Sequence, residues 1–272
     1  MELQQKLDLI FDVDAVLRGE GAEAPILRAR SPVLVNMAEE AMKEGSSLLR
    51  PKVIYQEFAV EGVRHERLLL NGGQTLEGKL LVQHLATAKT VCIVLCTIGE
   101  ALERRVSRIW EANMVYALAL DGVGSAAVEA LANAACQYFE KQAAEKGMQV
   151  SIPLSPGMVD WPVEEGQPQI FRLLGEAGAA VRLTPSCIMI PRKSLTMILG
   201  IGAEMKSAGR PCDICAMRER CRYQDHYAAH APSRPPQLSR AENRGGAIAH
   251  GILLPAPPGL PHYQGRKIGE GK

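Results

Sequence analysis

The stretch Thr90-Val-Cys-Ile-Val-Leu-Cys-Thr97 contains an uninterrupted run of six apolar residues at positions 91–96. It is rich in β-branched residues, so it predicts a buried strand. Residues 114–146 are rich in Ala, Leu and Glu, and they predict a long buried helix that begins near Tyr116. Gly122 and Gly124 inside this helix indicate close packing against a neighbour rather than a break. The core is therefore expected to combine a sheet with at least one long helix.

The segments around this core predict more elements of both types. Strands are predicted at residues 53–58, 68–70, 150–154 and 195–201. Residues 31–44 predict a helix with Ser31 as the N-cap, Pro32 at the first helical position and Gly45 as the end. A short helix is predicted at residues 169–175. No regular strand–helix–strand repeat is visible, which predicts an α+β fold with a mainly antiparallel sheet.

The charge balance disfavours a nucleic-acid-binding protein. The chain has 31 Lys and Arg against 30 Asp and Glu, and aromatic residues make up only 4% of it. It therefore lacks both the basic surplus and the stacking surface of such proteins. The apolar run at residues 91–96 is too short to span a bilayer, and the first residues show no signal-peptide pattern. We expect a cytoplasmic protein that contacts no membrane.

The strongest chemical signal is a cluster of three cysteines, Cys212, Cys215 and Cys221, in a C-x2-C-x5-C pattern. Thiolates at this spacing can converge on one metal centre. A metal would need a fourth ligand, for which two candidates stay open, and a cluster without metal is the third interpretation. Cys187, in a Thr-Pro-Ser-Cys run, would complete an iron–sulfur site. His226, five residues after Cys221, would complete a Cys3His zinc site that pins the chain.

The other three cysteines, Cys92, Cys96 and Cys136, lie in apolar segments and are expected to be buried structural thiols. A rigid loop is predicted where prolines and a glycine restrict the backbone at residues 155–162. Its functional interpretation is a ligand-binding lip that presents Asp160 and Trp161. Its structural interpretation is a tight connection with Trp161 in the core.

Three blocks of sequence carry a family resemblance. The first is Thr97-Ile-Gly-Glu100 followed by Asp121-Gly-Val-Gly-Ser125. The second is Ser155-Pro-Gly-Met-Val-Asp-Trp-Pro162, and the third is Leu183-Thr-Pro-Ser-Cys-Ile-Met-Ile-Pro-Arg-Lys-Ser194. Together they resemble the activation (reactivation) domain of cobalamin-dependent methionine synthase, in the form of its stand-alone relatives.

The resemblance implies a C-shaped α+β domain around a twisted, mainly antiparallel sheet flanked by helices. It also implies that the concave face docks a cobalamin-bearing partner and binds S-adenosylmethionine. The loop that resembles the family's binding signature supplies the expected cofactor-binding residues: Ser155, Pro156, Gly157, Met158, Asp160 and Trp161.

One departure bears on S-adenosylmethionine. The family signature is Arg-x-x-Pro-Gly-Tyr, whereas this chain has Pro153 in the arginine position and Met158 in the tyrosine position. Arginine offers a forked donor for a carboxylate, and proline offers none. The sequence leaves open whether S-adenosylmethionine binds.

The expected organisation has four parts. Residues 1–90 form the N-terminal α+β portion of the same domain, and residues 91–206 form the core that resembles the activation domain. Residues 207–228 are the cysteine-rich metal-binding segment. Residues 229–272 are rich in Pro and Gly and are expected to be a disordered tail.

Two functions are consistent with these features. The first is a reductive activator of a corrinoid methyltransferase protein, with or without S-adenosylmethionine. It would pass an electron to cob(II)alamin through a Cys-ligated iron–sulfur centre, expected to be [4Fe-4S], with a ferredoxin-type protein as a possible donor. The second is a docking module for a corrinoid protein, with structural zinc and no redox chemistry of its own.

Overall fold

A computed structural model describes residues 1–5, 7–21 and 24–205. The strands are β1 Lys52–Arg64, β2 Arg67–Leu70, β3 Gln74–Glu77, β4 Thr90–Thr97, β5 Gln149–Val150, β6 Arg182–Leu183, β7 Met189–Ile190 and β8 Ser194–Gly202. Six of them form a central sheet in the order β3-β2-β1-β4-β8-β5, in which all neighbouring strands are antiparallel. The other two, β6 and β7, form a separate hairpin.

Helices cover both faces of this sheet. They are α1 Val13–Gly19, α2 Ala24–Arg30, α3 Pro32–Leu48, α4 Lys79–Leu85, α5 Ala101–Ile109, α6 Met114–Ala144 and α7 Val163–Leu174. An antiparallel open sheet flanked by helices is an α+β fold, so the predicted fold class is confirmed.

Strand β4 is buried on both faces. Successive side chains of a strand point to opposite sides. Cys92, Val94 and Cys96 accordingly belong to the core beneath α1, α3 and α6. The alternate residues, Val91, Ile93 and Leu95, belong to a second core that includes residues of α4 and α7. The prediction of a buried strand at Thr90–Thr97 is confirmed, and its uninterrupted apolar run follows from having two cores to fill.

The long helix predicted after this strand is α6. Its N-cap is Asn113, whose side-chain oxygen accepts a hydrogen bond from the Tyr116 amide at 3.1 Å. Among the described residues, α6 is the one helix that is long and apolar enough to cross a membrane, judged by length and composition alone. In the fold it packs against α1, α3 and α5, and 56% of its apolar window is buried.

Close helix crossings explain why glycine occupies positions 45 and 122. A Cβ atom at Gly122 would lie 2.7 Å from the carbonyl oxygen of Val16, so only glycine lets α1 approach α6 this closely. A Cβ at Gly45 would lie 2.8 Å from Cγ1 of Val123. Gly45 was predicted to end α3, and this is wrong, because α3 continues to Leu48 with Gly45 buried at the crossing.

Helix α7 begins earlier than predicted, at Val163 directly after Pro162, and it contains Pro168. The side chain of Gln169 pairs with the edge strand β3 as another strand would. Its Oε1 accepts from the Glu77 amide at 2.7 Å, and its Nε2 donates to the Glu77 carbonyl at 3.1 Å. Helix α7 thereby satisfies backbone groups that would otherwise be exposed at this sheet edge.

Candidate functional site

The loop at residues 155–162 is a tight turn that leads into α7. The Gly157 amide donates to the Trp161 carbonyl at 2.8 Å, and the Trp161 amide donates to the Met158 carbonyl at 3.1 Å. Gly157 has φ of 97° and Asp160 has φ of 59°, a backbone region that Asp tolerates better than most residues. These bonds fix the direction in which the Asp160 side chain leaves the loop.

Trp161 anchors this loop in the second core. Its side chain is fully buried, and its indole packs against Gly78 and Gly166, where added Cβ atoms would lie 3.0 and 2.9 Å from ring atoms. The indole Nε1 has no hydrogen-bond partner among the described residues. The buried side chain of Trp161 therefore anchors the loop to the second core.

The six residues predicted to bind cofactor divide by exposure. Gly157 and Asp160 are exposed, Ser155, Pro156 and Met158 are partly buried, and Trp161 lies in the core. Asp160 is the charged side chain that this loop presents to solvent. Its carboxylate Oδ2 lies 3.6 Å from Nζ of Lys79 at the start of α4.

Asp160 lines an open cleft of about 1060 Å³. One wall is the β1–β2 turn with Arg64 and His65, a second is the segment where β3 leads into α4, and a third is the loop with Pro162. A sequence reading could not find this cleft, because its walls come from chain segments about a hundred residues apart.

A second polar site forms where the first and third sequence blocks meet. The Lys193 Nζ donates to Asp121 Oδ2 and to Ser125 Oγ, both at 2.8 Å, and the Lys193 amide donates to Glu103 Oε1 at 2.8 Å. Only 16% of the Lys193 side chain is exposed. We name Glu20, Asp121, Ser125 and Lys193 the α1–α6 polar cluster.

Glu20 is the member of this cluster that sequence reasoning missed. It caps the end of α1, and a Cβ at Gly122 would lie 2.8 Å from its Cγ. Its Oε1 is buried without a partner among the described residues. Burial raises the pKa of the Glu20 carboxyl to about 7, and the nearby Asp121 adds to the rise. No local pattern could reveal this, because Glu20 and Asp121 meet only through the helix crossing.

Replacing Glu20 by glutamine should remove a pH-dependent loss of stability. The native carboxyl keeps its proton up to about pH 7, whereas the unfolded one releases it near 4.5, so stability falls as pH rises between these values. Solvent screens part of the group, so we expect Glu20→Gln to raise the free energy of unfolding by about 1–2 kcal/mol above pH 7. Below pH 4.5 the two proteins should be equally stable.

Urea denaturation of the two proteins at several pH values measures this difference. The control is Glu39→Gln, which changes an exposed carboxylate of α3. A Glu20→Gln protein that keeps the wild-type pH dependence would show that the buried carboxyl does not cause it.

Cys187 lies in the turn of the β6–β7 hairpin. Its thiol is partly exposed, its φ is 58°, and its amide donates to the Thr184 carbonyl at 2.9 Å. Among residues 1–5, 7–21 and 24–205, no group of three His, Cys, Asp or Glu side chains could hold a metal ion. The predicted ligands Cys212, Cys215, Cys221 and His226 lie outside the described residues, so the metal site stays a prediction.

The remaining cysteines are structural thiols. Cys92 and Cys96 are fully buried, and Cys136 packs beside them with its Sγ 3.6 Å from Sδ of Met197. Burial raises the pKa of Cys136 to about 12 and raises the pKa of Cys92 and Cys96 as well. They stay protonated and are poor ligands or nucleophiles. The prediction of buried thiols is confirmed for Cys92 and Cys96, whereas Cys136 is partly buried.

Comparisons with known proteins address the fold. No protein-family model and no curated protein sequence matches the chain. Thirteen chains among the solved structures do match it. One is a MetH reactivation domain crystallised with AdoHcy bound, which is 13% identical with a TM-score of 0.52. The match covers 76% of this chain and 79% of the other. The chain therefore has the fold of the MetH reactivation domain, in agreement with the resemblance carried by its three sequence blocks.

Proposed function

We propose that this protein is a reductive activator of a corrinoid methyltransferase protein. It would dock the cobalamin-bearing partner and pass one electron to cob(II)alamin, giving cob(I)alamin. The observation that carries the proposal is the fold of the MetH reactivation domain, which extends over three quarters of the chain. The cysteine pattern at Cys212, Cys215 and Cys221 adds the electron-transfer part, because it offers thiolates for a redox metal centre.

Cys187 is suited to be the fourth ligand in one respect. It lies partly exposed at a hairpin turn, whereas Cys92 and Cys96 are fully buried and Cys136 packs against the same core. An iron–sulfur centre held by Cys187 together with Cys212, Cys215 and Cys221 would supply a low-potential one-electron carrier. The electron itself would come from a ferredoxin-type reductant and would end on the cobalt of the partner.

Docking would use loops that the fold holds rigid. The loop at residues 155–162 is anchored by Trp161 and presents Asp160, and the exposed apolar side chain of Val159 lies beside it. The hairpin turn with Cys187 exposes Ile188 in the same way. A partner surface that covers such apolar side chains gains free energy from their burial.

S-adenosylmethionine has weaker support than the corrinoid partner. The related fold was solved with AdoHcy bound. In this chain Pro153 replaces the arginine of the signature and carries no side-chain donor. We therefore propose that activation proceeds by reduction of the cobalt. Calorimetry measures whether S-adenosylmethionine binds.

A Cys215→Ser variant should lose the metal centre and at least nine-tenths of the reducing activity. Anaerobically purified wild-type protein should contain roughly four irons per chain and absorb near about 400 nm. The reaction is followed by the loss of the cob(II)alamin electron paramagnetic resonance signal of a corrinoid protein, with titanium(III) citrate as the electron source. The control is Asp213→Asn, which changes a neighbour in the same run and keeps all three thiols.

Two other outcomes have distinct meanings. One zinc and a colourless protein that still binds the corrinoid protein would support the docking module with His226 as the fourth ligand. A metal-free variant that reduces the partner at the wild-type rate would contradict the proposed electron path.

A further inference from the structure

The connection between β2 and β3 places an exposed asparagine directly before two exposed glycines. These residues are Asn71, Gly72 and Gly73, and Asn71 is the one asparagine of the whole chain that glycine follows. Gly72 and Gly73 have φ of 71° and 70°, a region that glycine adopts readily. A Cβ atom at either glycine would meet no heavy atom of the described residues within 4 Å, its chain neighbours apart. Solvent therefore reaches this connection freely.

The side chain of Asn71 is held with its carbonyl oxygen engaged. Its Oδ1 accepts a hydrogen bond from the Ala59 amide at 2.9 Å. Val60, the next residue of β1, pairs with Leu70 at the end of β2, so this bond continues the β1–β2 ladder by one step. An N–H that donates to an amide oxygen stabilises negative charge on that oxygen. The bond therefore makes Cγ of Asn71 more susceptible to attack by a nucleophile.

We propose that Asn71 is a site of spontaneous deamidation in the folded protein. The backbone nitrogen of Gly72 attacks Cγ of Asn71, so that an N–Cγ bond forms and the Cγ–Nδ2 bond breaks. Ammonia leaves with the proton of the Gly72 amide. Water then opens the succinimide ring at either carbonyl, which gives aspartate or isoaspartate without oxidation or reduction. Glycine in the second position favours ring closure, because it has no side chain to hinder the attacking nitrogen.

The two products differ in what they do to the fold. Aspartate at position 71 keeps the backbone and offers a charged acceptor to the Ala59 amide, so the hydrogen bond persists. Isoaspartate routes the main chain through its own Cβ and Cγ, which adds one methylene group between β2 and β3. The pairing of Leu70 with Gln74 fixes the length of this connection, so isoaspartate should displace the turn and release the Ala59 amide.

Peptide mapping by mass spectrometry, on the full chain aged in mildly alkaline buffer, tests the inference. The mass change from amide to acid reports deamidation, and methylation by a protein isoaspartate methyltransferase identifies isoaspartate. We expect Asn71 to react at least tenfold faster than Asn36, an exposed asparagine of α3 that Met37 follows. The isolated isoaspartate form should show faster hydrogen exchange at the Ala59 amide, whereas Asn71→Asp should keep the wild-type exchange rate.

Two glycine variants form a matched pair. Gly72→Ala adds a methyl group beside the attacking nitrogen and should slow deamidation at least fivefold. Gly73→Ala imposes the same conformational strain, because its φ is nearly equal and its surroundings are as open, but it lies one residue further from the reaction. It should leave the rate unchanged. Circular dichroism shows whether both variants keep the wild-type fold.

Three results would overturn the inference. The first is an equal rate at Asn71 and Asn36, and the second is equal slowing by Gly72→Ala and Gly73→Ala. The third is deamidation of Asn71 in the urea-unfolded chain but not in the native one, because the Ala59 bond would then protect the side chain. The inference needs neither a metal centre nor a corrinoid partner, so its failure leaves the proposed function to its own test.

Discussion

Replacing Trp161 by alanine is expected to lower the free energy of unfolding by about 3–5 kcal/mol, the range for deleting a buried aromatic side chain. The indole fills the space between two glycines, Gly78 and Gly166. Neither glycine has a side chain that could fill the cavity left by the deleted ring. The deletion also frees the loop that presents Asp160. Urea denaturation measures the loss of stability.

Two further variants separate the causes. Trp110→Ala removes the same side chain at the partly exposed end of α5, so it should cost less than half as much. Trp161→Phe keeps an aromatic ring and removes the indole N–H that has no partner among the described residues, so its cost should be well below that of alanine. A Trp161→Ala protein as stable as wild type would contradict the role of this residue as the anchor of the loop.

The second large effect is expected from Gly122→Val. The added Cβ would lie 2.7 Å from the Val16 carbonyl oxygen, and these are helix backbone atoms that cannot rotate away. Helix α1 must move off α6, which should lower the free energy of unfolding by about 2–3 kcal/mol. The move also exposes Glu20, so its pKa should return towards the ordinary value and the stability loss with rising pH should shrink.

Gly62→Val is the matched control for this variant. Gly62 lies in β1 with open space where its Cβ would be, and valine favours strands, so stability should stay level or rise. The pH dependence of unfolding, compared across wild type, Gly122→Val and Gly62→Val, gives the result. If Gly122→Val keeps both wild-type stability and wild-type pH dependence, the crossing does not bury Glu20.

Local patterns in the sequence were sufficient for the two most apolar elements. The strand at Thr90–Thr97 and the helix at Met114–Ala144 are predicted from apolar runs, because each must fill a core. The helix that continues through Gly45 was mispredicted. Glycine destabilises a helix locally, but here it permits a crossing with Val123 whose packing outweighs that cost.

The candidate sites also differ in whether the sequence alone reveals them. The loop at residues 155–162 could be recognised in the sequence, since its prolines and glycine restrict the backbone wherever they occur. The cleft could not, because Lys79 and Asp160 meet only after the β3–α4 segment and the loop before α7 pack together. Lys193 could be read as exposed charge, and it is instead mostly buried on Asp121.

The sequence alone determined the α+β class, the family resemblance, the buried thiols and the cysteine pattern, because each depends on residue type and short spacing. Only the tertiary structure decided that Trp161 is an anchor, that Glu20 shares a buried site with Asp121, and that opposite charges line one cleft. Burial and contact between distant segments set the pKa values and charge pairs of these groups, and neither quantity exists until the chain has folded.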